Sequence, residues 1–149
     1  RVNEEKNHRM IEKVFDLCNG TPNGKTITIL GVTFKPDTDD MREAPALTII
    51  PALVGNGARV RVVDPQGKRE GVALLPGITW FDDVYDAAQD ADAVVILTEW
   101  NAFRAIDLTR LVKKMRTPAM ADLRNIYSSA EAIGAGFKAY VSIGRRDVY

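Results

Sequence analysis

The sequence predicts a doubly wound α/β fold, in which a parallel sheet is covered by helices on both faces. Three observations predict it. Short β-branched or apolar runs recur along the chain, helical patterns lie between them, and conspicuous polar residues follow directly where several of the runs end. Strands alternating with helices favour parallel pairing, because a parallel crossover needs a helix to return the chain to the same sheet edge. Ligands of such sheets sit at the carboxyl ends of the strands, so those ends are where function is to be sought.

The first element is a helix over residues 1–19. Val2, Met10, Val14 and Leu17 fall on one helical stripe with Ile11, Phe15 and Cys18 beside it, while Glu4, Lys6, Arg9 and Lys13 lie mostly off it. The helix is already under way at Arg1, without an initiator Met or a capping residue, so the chain is expected to be a fragment of a longer protein. Asn19-Gly20 ends the helix, a turn cluster follows over 21–24, and Thr26–Leu30 reads as a buried strand. Further strands are predicted at 59–63, 93–97, 119–122 and 140–142. Pro45 suits the first turn of a helix to Val54, which Pro51 should kink or shorten. Helices over 82–89 and 107–115 each open on an aspartate able to cap them, Asp82 and Asp107, and another spans 128–135.

Composition excludes several classes of function. Forty-six per cent hydrophobic and 27% charged residues, with 20 basic against 20 acidic side chains, argue against disorder and against a nucleic-acid-binding charge. Any anion site must therefore be local. Cys18 has no second cysteine with which to pair, and no Cys/His cluster has zinc spacing, so neither a disulfide nor a metal is expected. No apolar run approaches the roughly 18 residues that cross a bilayer, which points to a cytoplasmic protein without a membrane partner.

The most informative stretch is GVTFKPDTDDMREAP over residues 31–45, between the first strand and the next helix. It is neither GxGxxG nor a Walker A loop. At about 13 residues it is long for a βα connection, where 2 to 6 is typical, and long loops are often functional. Lys35 and Arg42 either meet a phosphorylated ligand at the strand's carboxyl end or balance Asp37, Asp39, Asp40 and Glu43 in solvent. Phe34 is either a ligand contact or a plug beneath the loop. In ILTEW over 96–100, Thr98, Glu99 and Trp100 either rim a ligand, or Trp100 packs on the next helix and Glu99 is solvated. Arg124, in DLRN over 122–125, sits at a third strand end and can fork onto phosphate or make a surface ion pair. Asp64 has the position of the acid that holds a ribose in dinucleotide-binding folds, without the glycine fingerprint. Cys18 reads as a buried small residue in preference to a nucleophile, and His8 lacks a catalytic partner. Asp39 and Asp40 are adjacent and do not face each other, so no catalytic acid/base pair is assigned.

The 31–45 stretch is similar to the GxxFKxxTDDxRxSP signature of the UDP-glucose/GDP-mannose dehydrogenase family, with Ala44 where Ser is common. The 96–100 segment followed by Phe103, and the 122–125 segment, resemble the two later blocks of its UDP-glucose branch. RVNE at 1–4 resembles the end of the family's long central helix. The resemblance implies a Rossmann-like doubly wound parallel sheet preceded by part of that helix: residues 1–20 end the dimerisation helix and residues 21–149 form the C-terminal UDP-sugar-binding domain. It implies that Phe34, Lys35 and Arg124 bind UDP-glucose and that Arg42 reaches NAD, which is held mainly by an N-terminal domain of the same enzyme. The family oxidises the sugar's primary alcohol twice, giving UDP-glucuronate, through a thiohemiacetal and thioester on a cysteine of an FGGxCxxKD-type motif. That motif is not in this sequence, so no catalytic residue is assigned here and the fragment alone is expected to be inactive. The implied partners are UDP-glucose, the N-terminal domain and a second copy of the enzyme, joined through the central helix. Rival readings are a dehydrogenase of GDP-mannose or UDP-N-acetylmannosamine, and a stand-alone binding or dimerisation module.

Overall fold

Strands buried on both faces are the physical reason this chain makes a parallel sheet. A computed structural model describes residues 2–33, 37, 39–42, 44–144 and 147–149, with the backbone alone for Val2 and Asn3. The strands are β1 (Thr26–Leu30), β2 (Arg59–Val63), β3 (Thr79–Phe81), β4 (Ala93–Ile96), β5 (Ala119–Asp122) and β6 (Ala139–Ser142). All pairs are parallel, in the order β3-β2-β1-β4-β5-β6. Every residue of β1, β4 and β5 is buried, as parallel sheets covered on both sides require.

The helices are α1 (Val2–Leu17), α2 (Ala46–Gly55), α3 (Lys68–Leu74), α4 (Val84–Ala87), α5 (Asn101–Arg104), α6 (Leu108–Lys114) and α7 (Ser129–Ala135). Strand alternation divides the core between the two faces. Ile27, Ile29, Val60, Val62, Val95 and Ala121 pack against Met10, Val14 and Leu17 of α1 and Ile49, Ile50 and Leu53 of α2. Leu30, Val63, Val94, Ile96, Met120 and Tyr140 face Ala87, Phe103, Leu111 and Ala132 of the other helices. No helix among the described residues is long and apolar enough to cross a membrane.

Local chemistry explains most boundaries. Ser128 and Glu131 form a reciprocal capping box on α7, and the Asp107 carboxylate accepts from the Arg110 backbone N–H at 3.1 Å. The cap of α4 is Asp83, accepting from the Asp86 N–H at 2.9 Å, and not Asp82 as the sequence suggests. Pro51 does not shorten α2: buried Ile49, Ile50 and Leu53 hold that helix to Gly55. Three elements escape the sequence pattern, namely β3, α3 and the single turn α5. β3 has three residues on the sheet edge. α3 contains Gly71, which reads as a helix breaker but is there because the Trp80 ring lies where a side chain would be: an added Cβ would stand 2.5 Å from Trp80 Cη2.

Candidate functional site

In the order β3-β2-β1-β4-β5-β6 the chain reverses direction between β1 and β4, and the crevice of a doubly wound sheet opens at that switch point. The carboxyl ends of β1, β4 and β5 carry the three polar segments singled out in the sequence. Each is fixed by a different device.

β1 leaves the sheet through Gly31, at φ +94°, where a Cβ would lie 2.5 Å from Thr98 Cβ. This close approach lets Thr98 Oγ1 donate to the Thr33 carbonyl at 2.9 Å. From the other side, Asp64 at the end of β2 accepts from the N–H groups of Val32 (2.7 Å) and Thr33 (3.3 Å). Its second oxygen accepts from Gln66 at 2.9 Å and from Gly67. Asp64 thus spends its carboxylate on four backbone donors. That corrects the ribose-binding reading, since a ligand would have to displace bonds that fold the loop. Thr98 is likewise buried and structural, so it is no part of a ligand rim. The clamp holds Thr33, the residue directly before Phe34 and Lys35; those two lie outside the described residues.

Asp122, at the end of β5, organises the third segment. One carboxylate oxygen accepts from the N–H groups of Arg124 (3.4 Å) and Ile126 (3.1 Å), the other from Tyr127 N–H (2.8 Å). The Tyr140 hydroxyl, shared between that second oxygen (2.8 Å) and the Tyr127 carbonyl (2.7 Å), closes the network from β6. Asn125, at φ +55°, exchanges two hydrogen bonds with the backbone of Ile143. Tyr127 in turn donates its hydroxyl to the Phe103 carbonyl of α5. The turn that presents Arg124 is therefore tied to β6 and to α5.

Arg124 meets Glu99 of the β4 segment. Glu99 Oε2 accepts from Nε at 2.9 Å and from Nη2 at 2.6 Å, and the two side chains are 24–25% exposed. Glu99 is thus paired, which corrects the picture of it as solvated, while Trp100 is buried with Phe103 in the core. The pair is not legible from local sequence, although Glu99 and Arg124 lie three and two residues beyond the paired positions Ile96 and Asp122 of adjacent strands.

Arg42 stands elsewhere. Its guanidinium forks onto Asp40 through Nε (3.0 Å) and Nη2 (2.9 Å) and is 88% exposed. With Asp39, Met41, Leu47, Glu70 and Leu74 it lines a groove of about 580 Å³ between the β1–α2 loop and helices α2 and α3. Arg42 and Arg124 thus stand in different surroundings, the first on this groove and the second against Glu99.

Cys18 is buried at the opposite, amino end of the sheet, near Lys25 and Asp92. Burial pushes its thiol up to about 11, with Asp92 reinforcing the rise and Lys25 opposing it. A protonated thiol is a poor nucleophile. Native protein at pH 7.5 should therefore resist iodoacetamide while urea-unfolded protein is alkylated readily; equal rates would contradict the packing described. Because the folded thiol ionises later than the unfolded one, its stabilising contribution is complete below pH 9 and is lost as pH rises through about 11. His8 makes an exposed pair with Glu12 at 2.8 Å. Among the described residues no group of three or more His, Cys, Asp or Glu side chains could hold a metal ion.

Residues 28–129, from β1 through the Arg124 turn, match the model of the UDP-glucose/GDP-mannose dehydrogenase family, UDP binding domain. The chain belongs to this family. Among relatives of the dehydrogenase family, the UDP-glucose 6-dehydrogenase of Rhizobium meliloti (strain 1021) is 47% identical over 146 residues, 98% of this chain and 33% of the relative. The UDP-glucose 6-dehydrogenase of Pseudomonas aeruginosa (strain PAO1) is 39% identical, over 97% of this chain and 34% of the relative. A solved UDP-glucose dehydrogenase from the archaeon Pyrobaculum islandicum superimposes with a TM-score of 0.73 at 29% identity, covering 88% of this chain and 29% of that one. The chain thus spans about a third of the length of the curated relatives it matches.

Proposed function

We propose that this chain closes over UDP-glucose within an NAD-dependent UDP-glucose 6-dehydrogenase that converts its substrate to UDP-glucuronate in the cytoplasm. The observation that carries the reading is Arg124, mounted on a fixed turn at the carboxyl end of β5 with one edge of its guanidinium held by Glu99. A fixed cation beside the switch point suits a diphosphate, whose oxygens match the fork of a guanidinium. Phe34 and Lys35 are assigned to the same nucleotide sugar, since they directly follow the clamped Thr33. Arg42, in its separate groove, is assigned to NAD, which supplies hydride acceptance when bound.

Redox chemistry is assigned to the N-terminal domain of the same enzyme, with its cysteine and its NAD-binding loop. This chain's part is to bind, orient and cover the substrate, and α1 is assigned to the helix through which two copies pair. Calorimetry of UDP-glucose against the full-length enzyme tests the reading. Arg124→Ala and Lys35→Ala should each weaken binding by about 10- to 100-fold, the loss of one charge-assisted hydrogen-bonding group. Unchanged affinity in both variants would remove the assignment.

A further inference from the structure

We infer that Glu99 is a positioning residue for the nucleotide diphosphate, acting through Arg124. The inference rests on the proposed substrate role of Arg124 and adds what makes that arginine selective. A guanidinium carries five N–H donors in one plane. Glu99 Oε2 takes Nε and Nη2, which occupy one edge, at 2.9 and 2.6 Å. No other side-chain bond of Arg124 is present among the described residues, so the end formed by Nη1 and the second Nη2 hydrogen remains for a pair of oxygens.

The geometry is one of the backbone as much as of the side chains. Ile96 and Asp122 are register partners on β4 and β5, so Glu99 and Arg124 leave the sheet at nearly the same depth on adjacent strands. The Arg124 turn is fixed by the Asp122 carboxylate, and the following Tyr127 is tied to α5. Only the long side chain of Arg124 remains to be ordered, and holding it costs rotamer entropy. Glu99 meets that cost before the ligand arrives, and fixes the plane of the fork. It also offsets one positive charge, so the gain comes from orientation and not from added field.

The opposite outcome is equally definite. A carboxylate that merely competed with the diphosphate for Arg124 would weaken binding, and its removal would tighten it.

The test is a double-mutant cycle on UDP binding in the full-length enzyme, using Glu99→Gln, Glu99→Ala and Arg124→Ala. Glu99→Gln should weaken UDP about 5-fold and Glu99→Ala about 10-fold or more, while neither changes UDP affinity more than 2-fold in the Arg124→Ala background. Uridine, without phosphate, should bind all variants alike, a result that a loss of fold would not give. Glu99→Asp, one methylene shorter, should recover part of the affinity lost in Glu99→Ala. Tighter UDP binding by Glu99→Gln, equal losses in both backgrounds, or a matching loss for uridine would each overturn the inference. If Arg124→Ala alone leaves UDP affinity intact, the substrate assignment of Arg124 fails instead; if it weakens UDP while the Glu99 variants do not, only the positioning role fails.

Discussion

Replacing Asp122 by Ala is expected to lower stability by about 2–4 kcal/mol, from the loss of hydrogen bonds to a buried charged acceptor. The carboxylate is fully buried and accepts from three backbone N–H groups, with the Tyr140 hydroxyl as a fourth donor. Removing it takes the acceptor from the buried Tyr127 N–H and from the part-buried N–H groups of Arg124 and Ile126, at about 1–3 kcal/mol for a buried group left unsatisfied, while the Tyr140 hydroxyl keeps the Tyr127 carbonyl. The Arg124 turn then loses its anchor to β5 and β6, so UDP-glucose affinity should fall even in conditions where the fold survives. Tyr140→Phe is the milder comparison, since it removes one donor and leaves the acceptor. Denaturant unfolding of the two variants measures the difference. An Asp122→Ala loss below about 1 kcal/mol, on the scale of one ordinary hydrogen bond, would contradict the network's structural role.

Gly31→Ala is expected to cost about 2–5 kcal/mol, by an independent route. The residue sits at φ +94°, where a side chain is strained whatever its surroundings, at about 1–2 kcal/mol. The added Cβ would also stand 2.5 Å from Thr98 Cβ and 2.9 Å from the Thr98 backbone N, so the chain leaving β4 or the chain leaving β1 must shift. Overpacking of this kind adds about 1–3 kcal/mol. Because Thr98 donates to the Thr33 carbonyl, the shift should disturb the approach to Lys35. Gly31→Ala paired with Thr98→Gly divides the cost: the second change removes the overlap with the Thr98 side chain and leaves the backbone strain together with the 2.9 Å approach to the residue-98 backbone N. Full stability in Gly31→Ala alone would mean that neither cost operates.

How much of this was legible in the sequence differs by element. Buried strands carry continuous apolar runs, so β1, β2 and β4 stand out, and Asp107 and Ser128 announce their helices because capping needs those side chains at one position. β3 and α3 are silent for physical reasons. An edge strand of three residues has too little pattern, and Gly71 serves the ring of Trp80 on a different element, a relation that one-dimensional spacing does not contain. The same holds for the site. Lys35, Arg42 and Arg124 were recognisable as cations after strand ends. That Glu99 holds Arg124 follows from strand order and register, which no local motif encodes. Asp64 reads two ways from sequence, because an aspartate that folds a loop has the same letter as one that holds a ribose; its carboxylate faces the backbone of another strand end.

The first helix has a mechanical meaning. Met10 and Val14 are sealed against the sheet, and Lys13 reaches Asp147 near the chain's other end at 2.8 Å, so α1 is bolted to the body it precedes. A lever bolted over this length transmits rotation without loss: if the sheet swings to cover a substrate, the second half of the helix swings with it. The pivot of such a stroke then lies ahead of Met10, in the half of the helix that carries the exposed Glu5, His8 and Arg9.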